Sequence, residues 1–233
     1  MESPGIAGLA QPGQFITVRC GEGLDHLLRR PLSIHQIKGS SQVALMLSVV
    51  GWGTEWLSRL REGDPLDILG PLGHGFTVAP SSRHLLLVAG GIGIAPLAFL
   101  AQRALGQGHT VTLLHGAATA NSLYPPHLLP PGTQLVTATD DGSEGRKGPV
   151  TGLLAEYSPR ADQVFACGPV GMYRAMMARD PKISVQVSLE ARMGCGLGAC
   201  YACSFQTRDG RKRVCREGPV FELGGVDLES LTI

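Results

Sequence analysis

Cys195, Cys200, Cys203 and Cys215 follow the spacing C-x4-C-x2-C…C. Thiolates bind soft metals, and this is the plant-type [2Fe–2S] spacing, in which one loop supplies three ligands and a later strand or turn delivers the fourth. Gly194, Gly196 and Gly198 alternate with the first ligand positions. A loop that bends its N–H groups inward to sulfur needs backbone conformations that glycine adopts at little cost. A structural zinc site would also take four thiolates, but zinc sites usually show two short Cys-x2–4-Cys pairs and have no need of alternating glycines. The cluster is the favoured reading and zinc its alternative. Cys20 stands alone and reads as an ordinary buried thiol.

A second set of residues suits phosphate. Residues 85–89 run into Gly90-Gly91-Ile92-Gly93-Ile94-Ala95-Pro96: a strand, a Gly-rich turn and a helix start. That arrangement lays a pyrophosphate against free helix N–H groups. It is not G-x-G-x-x-G, and alone it could be merely a tight βα turn. Cys167-Gly168-Pro169 ends a later strand and opens another helix, at the same edge of the sheet, where ligands of open α/β folds collect. Nearer the N-terminus, Arg30-Pro31-Leu32-Ser33 sets a guanidinium and a hydroxyl on a strand, and Gly51-Trp52-Gly53-Thr54 opens a short helix. An Arg beside a helix start with a Thr hydroxyl suits a cofactor pyrophosphate, and the Ser suits a flavin ring nitrogen. The histidines (His26, His35, His74, His84, His109, His115, His127) lack metal-ligand spacing and read as surface or hydrogen-bonded groups.

These residues need scaffolds. Between residues 14 and 80, β-rich runs at 15–18, 43–49 and 65–69 alternate with turn signals at Gly39-Ser40 and Gly63-Asp64-Pro65, the spacing of a small antiparallel barrel or sandwich. After a polar segment at 79–83 the rhythm changes: apolar strands at 85–89, 111–115, 134–138, 163–167 and 184–188, with helical stretches between several of them, predict an open parallel sheet. One helix covers 95–105 and stops at Gly106; another opens at Pro169, with Met172 and Met176 one turn apart. From residue 189 onward periodicity disappears, and the Gly/Cys-rich segment is expected to be held by its ligand. The fold class expected is multidomain β plus α/β: a small antiparallel barrel over 1–80, a parallel-sheet nucleotide-binding domain over 81–188 and a cluster domain over 189–233.

Composition narrows the function classes. The 233 residues are 43% hydrophobic and 17% charged, outside the disordered class. With 20 Lys+Arg against 19 Asp+Glu and no block of like charge, nucleic acid is not an expected partner. The most apolar stretch, 85–101, is too short and too Gly-rich to favour a bilayer span. Residues 1–12 carry no basic segment before an apolar core, so no secretory signal is read and the cytoplasm is the expected compartment. In a reducing compartment, four cysteines crowded between 195 and 215 argue for ligation over disulfides.

Arg-Pro-Leu-Ser, then Gly-Gly-Ile-Gly-Ile-Ala-Pro, then Cys-Gly-Pro, in that order, resembles the ferredoxin–NADP reductase superfamily. Ser188-Leu189-Glu190, residues 193–203 around the first three cysteines, and Val214-Cys215-Arg216-Glu217-Gly218-Pro219-Val220-Phe221 look like the electron-transfer subunits of class B dihydroorotate dehydrogenases. Residues 70–76, Asp140-Asp141-Gly142-Ser143, Gly148 and Gly152 also match that pattern, and the resemblance runs from about Pro12 to the C-terminus.

The resemblance implies FAD in the barrel, NAD in the parallel-sheet domain and a [2Fe–2S] cluster in the tail. It further implies an FMN-containing partner that oxidises dihydroorotate to orotate in pyrimidine biosynthesis, two of each chain forming a heterotetramer. By the same resemblance Arg30, Pro31, Leu32, Ser33, Gly53 and Thr54 hold FAD, and Met46, Leu47, Ser48 and Val49 line its other side. Gly90, Gly91, Gly93, Cys167, Gly168 and Pro169 border the nicotinamide cofactor, and Ser33 and Cys167 are the expected catalytic positions. The four clustered cysteines are the iron ligands.

Two departures stand out. Where relatives have a first barrel strand this chain has a short Gly-rich leader, so imperfect barrel closure or a shortened start is expected. Many relatives carry an Arg where Ala118 stands; with Asp140-Asp141 acidic, a 2′-phosphate is poorly compensated and NAD is favoured over NADP. An exposed apolar surface near residues 200–205 is the expected contact with the partner, with ordinary packing of Tyr201 and Phe205 as the equal alternative. The runner-up is the corresponding subunit of an NAD(P)H–ferredoxin, sulfide or hydrogenase-type oxidoreductase. From another class, a redox sensor or zinc-stabilised binding module would keep the same fold.

Overall fold

The computed structural model describes residues 1–21, 27–179 and 184–231; His26 lies outside them. The N-terminal part comprises helix α1 (Pro4–Leu9), strands β1 (Phe15–Val18), β2 (Arg30–Lys38) and β3 (Gln42–Leu45), helix α2 (Trp52–Ser58) and strand β4 (Ile68–Leu72). The strands form one antiparallel sheet in the order β3-β2-β1-β4. Phe-Ile-Thr-Val of β1 is buried throughout, as β-branched and aromatic residues of a central strand should be. The leader extends this sheet at its β3 edge, and among the described residues no strand pairing joins that edge to β4. Residues 1–3 pair along β3, through Val43 N–H to the Met1 carbonyl at 2.9 Å and Ser3 N–H to the Ser41 carbonyl at 2.7 Å. Helix α1 then buries Ile6 and Ala7 against Ile16, Val18, Ile34 and Val43.

Two strand expectations need correction. The run at 43–49 ends as a strand at Leu45, because beyond the Ile34–Leu45 pair the chain leaves β2. The run at 65–69 is displaced to Ile68–Leu72, across Gly70 and Pro71, residues that read as a turn. Gly70 is needed there, since a Cβ would stand 2.6 Å from Ile16 Cγ2.

The second part is built from β5 (His84–Gly90), α3 (Ile94–Gly106), β6 (Thr110–Ala117), β7 (Gln134–Thr139), the short β8 (Arg146–Lys147), α4 (Leu154–Tyr157), β9 (Gln163–Cys167), α5 (Val170–Met177) and β10 (Val185–Ser188). These six strands run parallel, and the sheet order is β13-β10-β9-β5-β6-β7-β8. The chain leaves β5 in one direction and returns on its other side as β9, so the switch point lies between the ends of β5 and β9, the two strands that carry the glycine turns. Helix α3 is buried on nearly every face, because it is wedged between this sheet and β2. Gln102 Nε2 donates to the Ile37 carbonyl at 2.7 Å and its Oε1 accepts the Ile37 N–H at 3.1 Å, fixing one sheet against the other.

The tail forms the hairpin β11 (Ser204–Thr207) and β12 (Gly210–Arg213), helix α6 (Val214–Glu217) and β13 (Val220–Glu222). Strand β13 pairs antiparallel with β10 and becomes the edge of the main sheet, so the sheet is parallel except for this strand. Apolar packing also holds the tail: Phe205, Val214, Leu223 and Leu228 belong to one buried cluster with Val187 and Met172. Phe205 packs edge-to-face on Phe221 at 5.0 Å and is 2% exposed, so of the two readings it takes ordinary packing and not the outer surface. Tyr201, 58% exposed, keeps that place.

A buried chain of polar groups crosses between the two sheets. His35 Nδ1 meets the Ala95 carbonyl at 3.1 Å and Nε2 meets the Tyr124 hydroxyl at 2.8 Å. His115 Nε2 meets the Gly91 carbonyl at 3.2 Å, and its Nδ1 accepts the Tyr124 N–H at 3.4 Å. Burial pushes both imidazoles below their ordinary 6.5, against the raising effect of the carbonyls. On acidification the unfolded chain therefore binds protons first. Stability from these histidines is complete above about pH 6.5 and is lost as the pH falls through their lower folded pKa values. Urea midpoints should be flat near neutral pH and decline below about 6.5, with a shallower decline in a His35→Gln/His115→Gln variant. An identical slope in that variant would contradict the assignment.

Candidate functional site

Two cavities flank the start of α3. The first, about 390 Å³, is lined on one side by Arg30, Pro31, Leu32 and Ser33 of β2, and on the other by Met46, Leu47 and Ser48, the stretch that left β2 after Leu45. Thr54, residues 188–191 and Met193 also line it. Arg30 is oriented by its Nη1, which donates to the Leu28 carbonyl at 2.7 Å. Gly53 lies beneath it, where a Cβ would stand 2.7 Å from Arg30 Nε. The Thr54 hydroxyl accepts the N–H groups of Val50 at 3.0 Å and Gly51 at 3.2 Å, which shapes the entry to α2. Of the residues expected around FAD, only Val49 and Gly53 are absent from the wall; Val49 is exposed.

The second cavity, about 760 Å³, opens at the switch point and is lined by Gly90, Gly91, Gly93, Gly168 and Pro169, with Gly116, Ala118 and Asp140 further out. The two glycine turns are in backbone contact: a Cβ on Gly93 would sit 2.1 Å from the Cys167 carbonyl oxygen. Gly91 has φ +54°, a left-handed conformation that glycine adopts without steric cost. Cys167 is not on the wall. It is buried beneath the turn, and burial, reinforced by the Glu190 charge, holds its thiol protonated. The fully buried Tyr173 donates to the Ser188 carbonyl at 2.6 Å and accepts the Gly168 N–H at 3.0 Å, tying the turn to the end of β10.

Ile92, Leu189 and Glu190 line both cavities, so the two share a wall. Glu190 keeps an accessible face in the cleft, yet its surroundings raise its carboxyl by desolvation. Sequence reasoning gave Glu190 no role, because a single carboxylate has no spacing to read; its position after an apolar strand that ends at the cleft was the available signal.

The four clustered cysteines are brought together in two pairs. The N–H groups of Leu197 and Cys200 point at Cys195 Sγ at 3.3 and 3.5 Å, and the Cys215 N–H points at Cys203 Sγ at 3.5 Å. Against a burial penalty acting the other way, the N–H groups of Leu197, Cys200 and Ala199 with the Cys200 thiol bring Cys195 down to about 6. Burial first, then Cys203, pushes Cys215 up to about 12. Among the described residues no three His, Cys, Asp or Glu side chains converge as for a single metal ion. Two pairs of cysteines fit a two-iron cluster, in which each iron takes two protein ligands. Inward N–H groups, Gly196 and Gly198 at positive φ, and a buried Thr17 hydroxyl without a partner among the described residues complete a setting suited to sulfur. Gly196 rests on Thr17, where a Cβ would stand 2.8 Å from its methyl, so the cysteine loop abuts the strand whose Phe15 lines the first cavity.

Adding a methyl at Gly93 forces α3 away from β9. Gly93→Ala should cost about 1–3 kcal/mol or more in urea denaturation and abolish nucleotide binding in the second cavity. Gly106→Ala, with nothing within 4 Å, is the control and should be neutral or slightly stabilising.

Residues 190–227 match the family model described as the iron-sulfur cluster binding domain of dihydroorotate dehydrogenase B. The chain is 43% identical over 230 residues to the dihydroorotate dehydrogenase B (NAD(+)) electron transfer subunit of Desulforamulus reducens, covering 94% of this chain and 88% of the relative. It is 39% identical to the protein of the same name from Bacillus mycoides, covering 96% and 89%. Among solved structures, a chain of NADH-dependent reduced ferredoxin-NADP oxidoreductase, studied for flavin-based electron bifurcation, superposes with a TM-score of 0.88 at 32% identity, over 99% of this chain and 84% of that one. The zinc and non-enzymatic alternatives lose ground to a whole-chain likeness that includes the cysteine segment. By sequence over almost its entire length, the chain belongs to the family of dihydroorotate dehydrogenase B electron transfer subunits.

Proposed function

We propose that this chain passes electrons from the FMN of a dihydroorotate-oxidising partner, through a [2Fe–2S] cluster and FAD, to NAD+ in pyrimidine biosynthesis. The observation that carries the proposal is contiguity: the second cavity shares a wall with the first, and the first abuts the cysteine loop. A flavin bound there exchanges two electrons with nicotinamide and single electrons with an iron–sulfur centre. Arg30 and the start of α2 hold the FAD pyrophosphate, with Gly53 leaving room for the guanidinium. Pro31, Leu32, Met46, Leu47 and Ser48 enclose the ring system, and Ser33 hydrogen-bonds its edge. Gly90, Gly91, Gly93, Gly168 and Pro169 receive the NAD pyrophosphate and nicotinamide. Cys167 lies beneath that turn as a buried, neutral thiol and supports it from outside the cavity wall. Cys195 with Cys200, and Cys203 with Cys215, bind one iron each. Residues 1–80, 81–188 and 189–233 thereby divide the work of holding FAD, NAD and the cluster, although β13 belongs to the main sheet.

NAD is favoured over NADP. None of the described residues lining the second cavity is Lys or Arg, and Asp140 is among them, so a 2′-phosphate would meet a carboxylate and no cation. Leu197 and Tyr201, both exposed, support a partner contact at the cluster; the assembly proposed holds two chains of each kind. None of the described helices is long and apolar enough to cross a membrane, and the cytoplasm is the compartment proposed. The second reading, a subunit of an NAD(P)H–ferredoxin or related oxidoreductase, is favoured by the close superposition on the ferredoxin-NADP oxidoreductase chain.

The chain copurified anaerobically with its partner separates the two. Dihydroorotate should bleach both flavin and iron–sulfur absorbance; a complex that bleaches with NADH and ignores dihydroorotate moves the assignment to the second reading. Cys200→Ser should block NAD+ reduction by dihydroorotate while NADH-to-dye transfer through the flavin persists. Survival of both activities would refute the relay.

A further inference from the structure

Arg213, the last residue of β12, stands two positions before Cys215 and reaches back across the cysteine loop. Its Nη1 donates to the Gly198 carbonyl at 2.7 Å. Its guanidinium lies over the Tyr201 ring, 4.8 Å from the centroid. Its Nε donates to Glu217 Oε2 at 3.1 Å, its Nη2 meets the other carboxylate oxygen, and its own N–H bonds Glu217 Oε2 at 2.7 Å. One side chain thus joins the segment between the first two cysteines, the residue after the second, and the helix that carries the fourth.

Peptide geometry gives this contact a consequence. In a trans peptide the carbonyl of one residue and the N–H of the next point in opposite directions. By drawing the Gly198 carbonyl towards itself, Arg213 turns the Ala199 N–H the other way, away from the guanidinium, and the N–H groups on either side, of Leu197 and Cys200, point at Cys195 Sγ at 3.3 and 3.5 Å. Tyr201, with φ +59°, is the only non-glycine residue at positive φ among those described, and the stacked guanidinium braces it there.

We infer that Arg213, with Glu217 as its counter-ion, is a positioning residue that aims the loop's N–H groups at the cysteines and sets the charge felt by the bound cluster. The inference rests on the reading that the four cysteines hold a [2Fe–2S] centre. Reduction adds one negative charge, which a nearby guanidinium stabilises and a nearby carboxylate opposes. Removing either member of the pair should therefore move the midpoint potential in opposite directions. A merely structural role would disturb the loop in the same way from either side.

The test is an EPR-monitored redox titration of the anaerobically purified full-length chain, with iron content measured for every variant. Arg213→Gln should lower the potential and Glu217→Gln should raise it. Arg213→Lys, which keeps the charge and loses the two-pronged grip, should leave the potential near wild type with altered g-values. Shifts of the same sign in Arg213→Gln and Glu217→Gln, or none in either with iron fully retained, would overturn the inference and leave the cluster reading intact. If Arg213→Gln fails to retain iron, the other two variants decide: a raised potential in Glu217→Gln supports the inference, and an unshifted one overturns it. A wild-type chain without iron would overturn the cluster reading itself, and this inference with it.

Discussion

The contact between the glycine turn after β5 and the Cys167-Gly168-Pro169 turn after β9 is the constraint on which the rest of the molecule depends. Strands β5 and β9 are neighbours, paired in register from Leu85 with Gln163 to Ala89 with Cys167. Their ends can stay that close only because Gly93 presents no side chain to the Cys167 carbonyl. From this contact follows the origin of α3, which must start at the switch point and run back along the sheet. From the position of α3 follows the seat of β2, held by the Gln102 and His35 bonds. The first cavity lies where β2 meets the start of α3, and the second where the two glycine turns separate.

The tail extends the same logic. Residues 188–193 leave β10 at the level of the two turns, so they serve both as cavity wall and as the approach to Cys195. Strand β13 returns antiparallel to β10 and anchors the far end of the tail. The cysteine loop is therefore clamped at both ends by the main sheet and rests against Thr17 of the other sheet. Apolar packing by Phe205, Val214 and Leu223 supplies a core that a short Gly/Cys-rich segment would otherwise lack. The order of the three sites along the fold is a result of strand pairing, and it matches the order in which a relay would use them.

Much of this was legible in the residues. The C-x4-C-x2-C…C spacing, with its alternating glycines, carries a geometric demand that few other arrangements satisfy, and residues 85–89 followed by Gly-Gly-Ile-Gly require a strand and a tight turn. The strand at 65–69 was misread because Gly70 and Pro71 carry a turn signal, whereas their places in β4 are set by Ile16 on the neighbouring strand. Residues 46–49 have strand composition, and only the partner they lose after Leu45 makes them a cavity wall. Phe205 looks like a surface aromatic until Phe221, sixteen positions later, is folded onto it.

By itself, then, the sequence determined the local units: where four thiols recur at close spacing, where an apolar strand runs into a glycine turn, and which segments form the two kinds of sheet. Those properties depend on side-chain type and on backbone freedom over a few neighbouring residues. The tertiary structure alone decided that the cysteines stand in two pairs, that Cys167 lies beneath the nucleotide turn and off the cavity wall, that Glu190 stands between the two cavities, and that Arg213 holds Gly198. Each of these joins residues distant in the chain or turns a side chain towards or away from a cavity, and pairing register and packing, which no local pattern encodes, bring them about.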